Sequence, residues 1–185
     1  MPNDNAQIVF SPSARAQQVR HGSRDSYAKM EQTRGFQADI TPELAGFIAE
    51  RDSMYLGTVS ADGWPYIQHR GGAKGFIKVL DDRTLAFADF AGNRQYISMG
   101  NLDDNDRAFI FLMDYANRRR IKIWGRAKFI EDDPALLARL TDPEYPAHVE
   151  RALVFTVEAW DVNCKQHIKP RYDDEQVAEI IAGQK

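Results

Sequence analysis

The middle of the chain is built from short apolar runs that are separated by polar turn sequences. Ala61-Asp62-Gly63 and Asp81-Asp82-Arg83 are turns of this kind, and they predict antiparallel hairpins. The pattern therefore predicts about seven strands, most of which pair with a neighbour along the chain. The predicted strands cover residues 54–60, 64–70, 76–80, 84–88, 107–114, 119–130 and 152–162.

Helix signals lie mainly outside this strand region. Ser11-Pro12 and Thr41-Pro42 each place an N-cap residue before a proline, which predicts helices over residues 12–20 and 42–51. Further helices are predicted over residues 23–33, 94–102, 134–140 and 173–182. Strand-helix-strand alternation is missing, so a parallel Rossmann-type sheet is disfavoured. The expected fold is mainly β with peripheral helices (α+β): a small antiparallel barrel of six to seven strands.

A chain of 185 residues is long enough for one domain with a terminal extension. The first forty residues are polar and carry few large apolar side chains. We therefore divide the chain into an N-terminal helical arm, 1–40, and a barrel domain with a C-terminal helix, 41–185. The arm is expected to pack on another surface, such as a second subunit.

The net charge of -3 argues against a general nucleic-acid binder, which needs a broad surplus of Lys and Arg. No secretion signal and no apolar run of eighteen residues is present, so the protein is expected to be soluble, without a membrane association. The single cysteine, Cys164, cannot form an intrachain disulfide, and this suits a cytoplasmic location.

Two glycine-containing corners bracket one predicted hairpin, and each carries an arginine that can hold a phosphate. The first is Gln68-His69-Arg70-Gly71-Gly72, and the second is Gly92-Asn93-Arg94 at a predicted helix start. Glycines let a ligand approach the backbone, and a helix N-terminus attracts anions. Taken singly, the corners also fit a β-bulge and an ordinary capped helix. Together they predict an anion site, most simply for a nucleotide cofactor.

Basic residues are concentrated between positions 118 and 128, and they include Arg119 and Arg120. They could serve a small anionic ligand, or they could be the solvated residues of a basic edge strand. No zinc-ligand spacing occurs, so no metal site is predicted. Cys164 and His167 could form a nucleophile and base, but no oxyanion or orienting group accompanies them. The common hydrolase and NTPase motifs are also missing.

Residues 51–130 resemble the pyridoxamine 5'-phosphate oxidase-like family of FMN-binding split β-barrel proteins. The resemblance is carried by Pro65-Tyr66-Ile67-Gln68-His69-Arg70-Gly71-Gly72, by Gly92-Asn93-Arg94 and by Ile123-Trp124-Gly125-Arg126-Ala127. More narrowly, the chain is similar to a flavin-nucleotide-binding branch of that family. Members of this branch share an ending like Glu158-Ala159-Trp160-Asp161-Val162-Asn163-Cys164 and Gln166-His167-Ile168.

The resemblance implies a homodimer with two FMN molecules at the subunit interface. It implies that the segment from Gln68 to Gly72 lines the flavin ring and ribityl chain. Asn93 and Arg94 would lie by the phosphate, with help from Arg70. Further contacts implied in the same way come from Asn101, Arg119, Arg120, Trp160, Cys164, Gln166 and His167, the last four approaching the flavin from the C-terminal segment.

The chain departs from pyridoxamine 5'-phosphate oxidase itself in its substrate-binding residues. The oxidase binds the phosphate of its substrate with a tyrosine, an arginine and a serine spaced four apart, and this pattern is missing here. Its closing Arg-x-His-Asp-Arg is replaced by Gln166-His167-Ile168-Lys169-Pro170-Arg171. We therefore expect a flavin-dependent oxidoreductase that acts on an unidentified small substrate other than pyridoxamine phosphate. His167 is the candidate acid, because its ordinary pKa lies near neutrality. The alternatives are a non-catalytic flavin carrier or sensor, and a barrel that holds a deazaflavin or haem.

Overall fold

A computed structural model describes residues 5–162 and 165–183 of the chain. The strands are β1 Ser53–Val59, β2 Pro65–Gly71, β3 Lys78–Val79, β4 Thr84–Phe90, β5 Arg107–Asp114, β6 Arg119–Ile130 and β7 Val149–Val162. The helices are α1 Ala6–Val9, α2 Pro12–Arg20, α3 Arg24–Thr33, α4 Pro42–Ala49, α5 Ile97–Asp104, α6 Pro134–Leu140 and α7 Asp174–Ala182. Within the same residues, no helix has both the length and the apolarity to cross a membrane.

All seven strands form one antiparallel sheet in the order β2-β1-β5-β6-β7-β4-β3. The two edge strands, β2 and β3, do not pair with each other, so the barrel is split between them. This architecture confirms the predicted α+β fold with an antiparallel split barrel. β6 lies between β5 and β7, so the interpretation of its basic residues as an edge strand is wrong.

Strand alternation places one apolar face inside the barrel. In β5, for example, Ile110 and Leu112 are fully buried, whereas the residue between them is only partly covered. Helix α4 covers this interior with Leu44, Phe47 and Ile48. Each large side chain buried in this way contributes about 1.5–3 kcal/mol. These apolar side chains of β5 and α4 therefore belong to one core cluster inside the barrel.

The predicted strand 76–80 is reduced to Lys78–Val79. Gly75 has a φ of +75° and donates its N–H to the Arg51 carbonyl at 2.8 Å. This turn directs Phe76 and Ile77 into the core, where they are 7% and 2% exposed. Burial of these two side chains therefore takes the place of strand pairing.

Gly125 lies at a β-bulge between β6 and β7. The register between β6 and β7 shifts between Trp124 and Gly125, which leaves Glu158 as the extra residue on β7. A Cβ atom at position 125 would lie 2.0 Å from the Thr156 carbonyl oxygen. Glycine is required here because another backbone occupies the space of a side chain.

The N-terminal arm packs on the outer face of its own sheet. Phe36 is 1% exposed, and its ring lies 6.5 Å from that of Trp124 in β6. Trp160 in β7 donates its backbone N–H to the Gln37 carbonyl and its indole N–H to the Asp39 carbonyl. These contacts tie the segment before α4 to β6 and β7 of the same chain.

Candidate functional site at the split of the barrel

A cavity of about 290 Å³ lies where the barrel is split. One wall is β2, and the opposite wall is formed by the ends of β4 and β7 together with the segment 92–99. Gln68, Arg70, Asn93 and Arg94 all line this cavity. The fold therefore brings the two predicted corners together in one place.

The alternation of β2 decides which residues of the first corner face the cavity. Tyr66, Gln68 and Arg70 lie on the cavity side. His69 lies on the other face, where its ring is 5.7 Å from that of Tyr55 in β1. Within one chain, His69 is thus separated from the cavity by the strand itself.

The two glycines of the first corner do not line the cavity. β2 pairs with β1 in regular register as far as Gly71, so no bulge occurs in this corner. The Gly72 N–H donates to the Asp52 carbonyl at 2.9 Å. A Cβ atom at position 72 would lie 2.7 Å from Cβ of Phe76, so the lack of a side chain is explained by packing within the chain.

The second corner is a bent loop rather than the start of a helix. Arg94 and Tyr96 have φ angles of 60° and 54°, and α5 begins at Ile97, so the predicted start at residue 94 is wrong. The Asn93 side-chain oxygen accepts the Gln95 N–H at 3.3 Å and supports this bend. Left-handed backbone at two non-glycine residues is uncommon and tends to cluster at functional sites.

A direct hydrogen bond joins the first corner to α5, the helix that follows the second corner. The Ser98 hydroxyl donates to Oε1 of Gln68 at 2.9 Å, and Ser98 is 2% exposed. Asn101, one turn further along α5, instead donates to the Thr58 hydroxyl at 2.9 Å and does not line the cavity. Asn101 therefore joins the helix to β1 behind the site.

A cluster of four charged side chains forms the inner wall of the cavity. Asp89 of β4 is paired with Arg70, and its other oxygen lies 3.6 Å from Nε of Arg151 in β7. Arg151 also forms an ion pair with the neighbouring Glu150. Burial raises the pKa of the Asp89 carboxyl above its ordinary value, although Arg70 and Arg151 act to lower it. Glu131 is a third ion-pair partner of Arg151, 3.7 Å from its Nη1, so the two cations are balanced by carboxylates of the same protein.

Arg94 differs from those arginines because it is exposed and is not balanced. Within residues 5–162 and 165–183, no ion pair includes Arg94. Its positive charge at the cavity edge is available to an external anion. The arrangement suits a phosphate at the mouth, bound by Arg94 and by the amide of Asn93.

The other predicted site residues that the structure describes lie away from the cavity. Arg119 stands over the Phe47 ring at 5.1 Å, and Arg120 is paired with Met113 in the β5–β6 hairpin. Trp160 is held by the arm, as described above. Gln166 and His167 follow the end of β7, and neither lines the cavity. Cys164 lies outside the described residues.

Three charged residues of the site, Asp89, Glu150 and Arg151, were not found by the sequence reasoning. Each had a usable signal, because a charge that interrupts a buried apolar strand is rarely accidental. Asp89 interrupts the apolar run of β4, and Arg151 precedes the apolar run of β7.

The fold is shared with proteins of known structure. The chain is similar to HupZ from Group A Streptococcus, at 17% identity and a TM-score of 0.55, over 72% of this chain and 99% of that one. It is also similar to a candidate pyridoxamine 5'-phosphate oxidase from Lactobacillus delbrueckii, at 21% identity and a TM-score of 0.52, over 68% of this chain and 95% of that one. At these identities the similarity shows the fold alone.

Comparison with models of protein families shows the family to which the chain belongs. Among curated protein sequences, none matches the chain. The family model described as pyridoxamine 5'-phosphate oxidase matches residues 40–168. This span includes β1 through β7 and both corners of the cavity. The chain therefore belongs to the pyridoxamine 5'-phosphate oxidase family.

Proposed function

We propose that this chain binds FMN in the cavity at the split of the barrel. It does so as a homodimer and acts as a flavin-dependent oxidoreductase on a small substrate. One observation carries the proposal: Gln68 and Arg70 of the first corner and Gly92–Arg94 of the second line one cavity, and Arg94 offers an unbalanced positive charge there. Family membership and the motifs quoted above support the same cofactor.

The residues present fit the parts of FMN. Arg94 and Asn93 are suited to the terminal phosphate, since a guanidinium and an amide both donate to phosphate oxygens. Gln68 and Ser98 can each donate a hydrogen bond to, or accept one from, the hydroxyls of a ribityl chain. Arg70, held in the wall by Asp89, provides guanidinium N–H donors deeper in the cavity. This donor set is therefore complementary to a ligand with a dianionic end and a polar middle.

The size of the cavity supports a second copy as part of the site. A volume of about 290 Å³ is at the lower end of the range for small-molecule sites, about 300–1,000 Å³. The β1–β2 hairpin that forms one wall also exposes apolar side chains: Trp64 is 76% exposed and Ile67 is 69% exposed. Exposed apolar clusters of this kind mark interaction surfaces. A second copy that buries this hairpin would cover the face of β2 that carries Ile67 and His69, next to the wall of the cavity.

When bound, FMN supplies the electron transfer, while the protein binds it and sets its electrostatic surroundings. Arg94 holds the anionic end. Arg70 presents guanidinium N–H groups in the wall, which can donate hydrogen bonds to a ring bound beside it. His167 is not at the cavity of its own chain, so its proposed role as an acid requires that the segment after β7 reaches the cavity of the partner subunit.

The first test is the absorption spectrum of the protein purified without added cofactor, with mass spectrometry of what heat releases. Flavin bands and released FMN are expected. A colourless protein that also fails to bind added FMN would remove the proposal. Released deazaflavin or haem would replace the cofactor assignment while leaving the cavity assignment in place.

Turnover and assembly are tested separately. Rapid reduction of the bound flavin by NADH or NADPH, followed by reoxidation with an acceptor, is expected of an oxidoreductase. Tight FMN binding without reduction by any donor would instead indicate a carrier or sensor. Light scattering should give the mass of two chains, and an Ile67→Asp variant should shift it toward one chain.

A further inference from the structure

Arg151 reaches the cavity because of a second bulge in β7. Asp89 pairs with Arg151 and Phe90 pairs with Val149, so Glu150 is the extra residue. A bulge turns consecutive side chains toward the same side of a strand. As a result, both Glu150 and Arg151 line the cavity, where regular alternation would have sent one of them away.

Arg151 is 6% exposed and is surrounded by its own partners. It forms ion pairs with Glu150, Asp89 and Glu131. Its guanidinium lies 5.3 Å from the centre of the Tyr96 ring, and Nη1 is 3.4 Å from the Met99 sulfur. Its Nε is buried and without a hydrogen-bond partner. These features describe a side chain that is held in the wall, rather than one that is free to approach a ligand.

Asp89 is the link between Arg151 and Arg70. Within the described residues, Asp89 is the ion-pair partner of Arg70, and Nε of Arg70 is buried without a hydrogen-bond partner. The orientation of Arg70 therefore depends on where the Asp89 carboxylate lies. That carboxylate is in turn fixed from its far side by Arg151.

We infer that Arg151 is a positioning residue for Arg70, acting through Asp89. This inference rests on the proposed function in one respect: Arg70 is taken to face the bound FMN. Arg151 itself does not contact the ligand. Its effect on the cofactor should therefore vanish when Arg70 is replaced.

The first experiment measures the position of Arg70 without any flavin. The Nε–H signal of Arg70 is identified by ¹⁵N NMR from its loss in Arg70→Lys, and its hydrogen exchange is followed. Arg151→Lys should speed this exchange roughly tenfold or more, as expected when a charged contact is lost. The matched control is Arg126→Lys: Arg126 also pairs with two carboxylates, Glu158 and Asp106, at the other bulge of β7, but lies outside the cavity. Arg126→Lys should leave the hydrogen exchange of the Arg70 Nε–H signal unchanged.

The second experiment is a double-mutant cycle on FMN affinity. Arg151→Lys should weaken FMN binding about tenfold in the wild-type background and leave it unchanged in the Arg70→Gln background. Equal weakening in both backgrounds, or an unchanged Arg70 signal in Arg151→Lys, would overturn the inference. If Arg151→Lys does not fold, Glu150→Gln makes the same prediction for the Arg70 signal, because it removes an ion-pair partner of Arg151 and leaves Asp89 and Arg70 in place. If the wild-type protein binds no FMN, the proposed function fails, while the NMR experiment still decides the role of Arg151.

Discussion

Arg70 of β2 and Asp89 of β4 form an ion pair across the split in the barrel. Their strands are first and sixth in the sheet order, and no backbone hydrogen bonds join them. Together with the hydrogen bond from Ser98 to Gln68, this pair connects the open side of the barrel. The connection that holds the two sides together is thus also the wall of the candidate cofactor site.

Removing the Asp89 carboxylate should destabilise the protein. Asp89→Ala removes the acceptor that Arg70 and Arg151 share in a buried setting, which costs about 3 kcal/mol in the free energy of unfolding. Urea denaturation measures this loss. Asp106→Ala removes the exposed partner of Arg126 and should cost less than about 1 kcal/mol. Equal losses in the two variants would contradict the buried role of Asp89.

The pKa of Asp89 predicts a pH dependence of stability. Because burial raises this pKa, the folded protein binds a proton at a pH where the unfolded chain has released it. The contribution of Asp89 to stability should therefore grow as the pH falls through its folded pKa toward the ordinary value of 3.8. Urea unfolding of the wild type and Asp89→Asn over this range isolates the effect. A wild type that weakens relative to Asp89→Asn on acidification would show that the arginines outweigh burial.

Arg94 should distinguish FMN from riboflavin, which lacks the phosphate. Arg94→Gln removes a charged hydrogen-bond donor, so FMN should bind about tenfold more weakly or worse, while riboflavin affinity should change little. Fluorescence titration with both flavins measures this. Arg139→Gln, at an exposed arginine in α6, serves as the control. Equal loss of affinity for both flavins would place Arg94 away from the phosphate.

Gly125 should tolerate no side chain. A Cβ atom there meets the Thr156 carbonyl oxygen at 2.0 Å and Cε1 of Phe155 at 2.5 Å, so Gly125→Ala should cost about 1–3 kcal/mol or more. Thermal unfolding measures the loss. Gly46→Ala is the matched control, because open space surrounds Gly46 in α4 and alanine favours a helix by up to about 1 kcal/mol. If Gly125→Ala left the thermal stability unchanged, the bulge would have to be able to relax around the new side chain.

His167 should affect turnover rather than cofactor binding. If it donates a proton at the flavin from the partner subunit, His167→Gln should lower turnover and spare FMN affinity. His148→Gln, at a histidine before β7, is the control for loss of an imidazole elsewhere. Steady-state rates and flavin titrations separate the two quantities. Unchanged turnover in His167→Gln would exclude the proposed acid.

Local patterns in the sequence determined much of this protein. The strands 107–114 and 119–130 and the helices 12–20 and 134–140 have the predicted bounds, since alternation, N-caps and prolines act within a few residues. Gln68, Arg70, Asn93 and Arg94 were also predicted, because glycine corners with arginines are visible as short motifs. The antiparallel barrel followed from the number and spacing of the strands.

Tertiary structure alone decided the rest. Phe76 and Ile77 do not continue the predicted strand, because their side chains are buried in the core. Helix α5 begins later than predicted, because the loop bends at Arg94 and Tyr96. The bulge at Glu150 turned Arg151 toward Asp89, and the curvature of the sheet brought Asp89 to Arg70. Such contacts join strands far apart in the chain. They depend on register and closure of the whole sheet, which no local pattern of residues specifies.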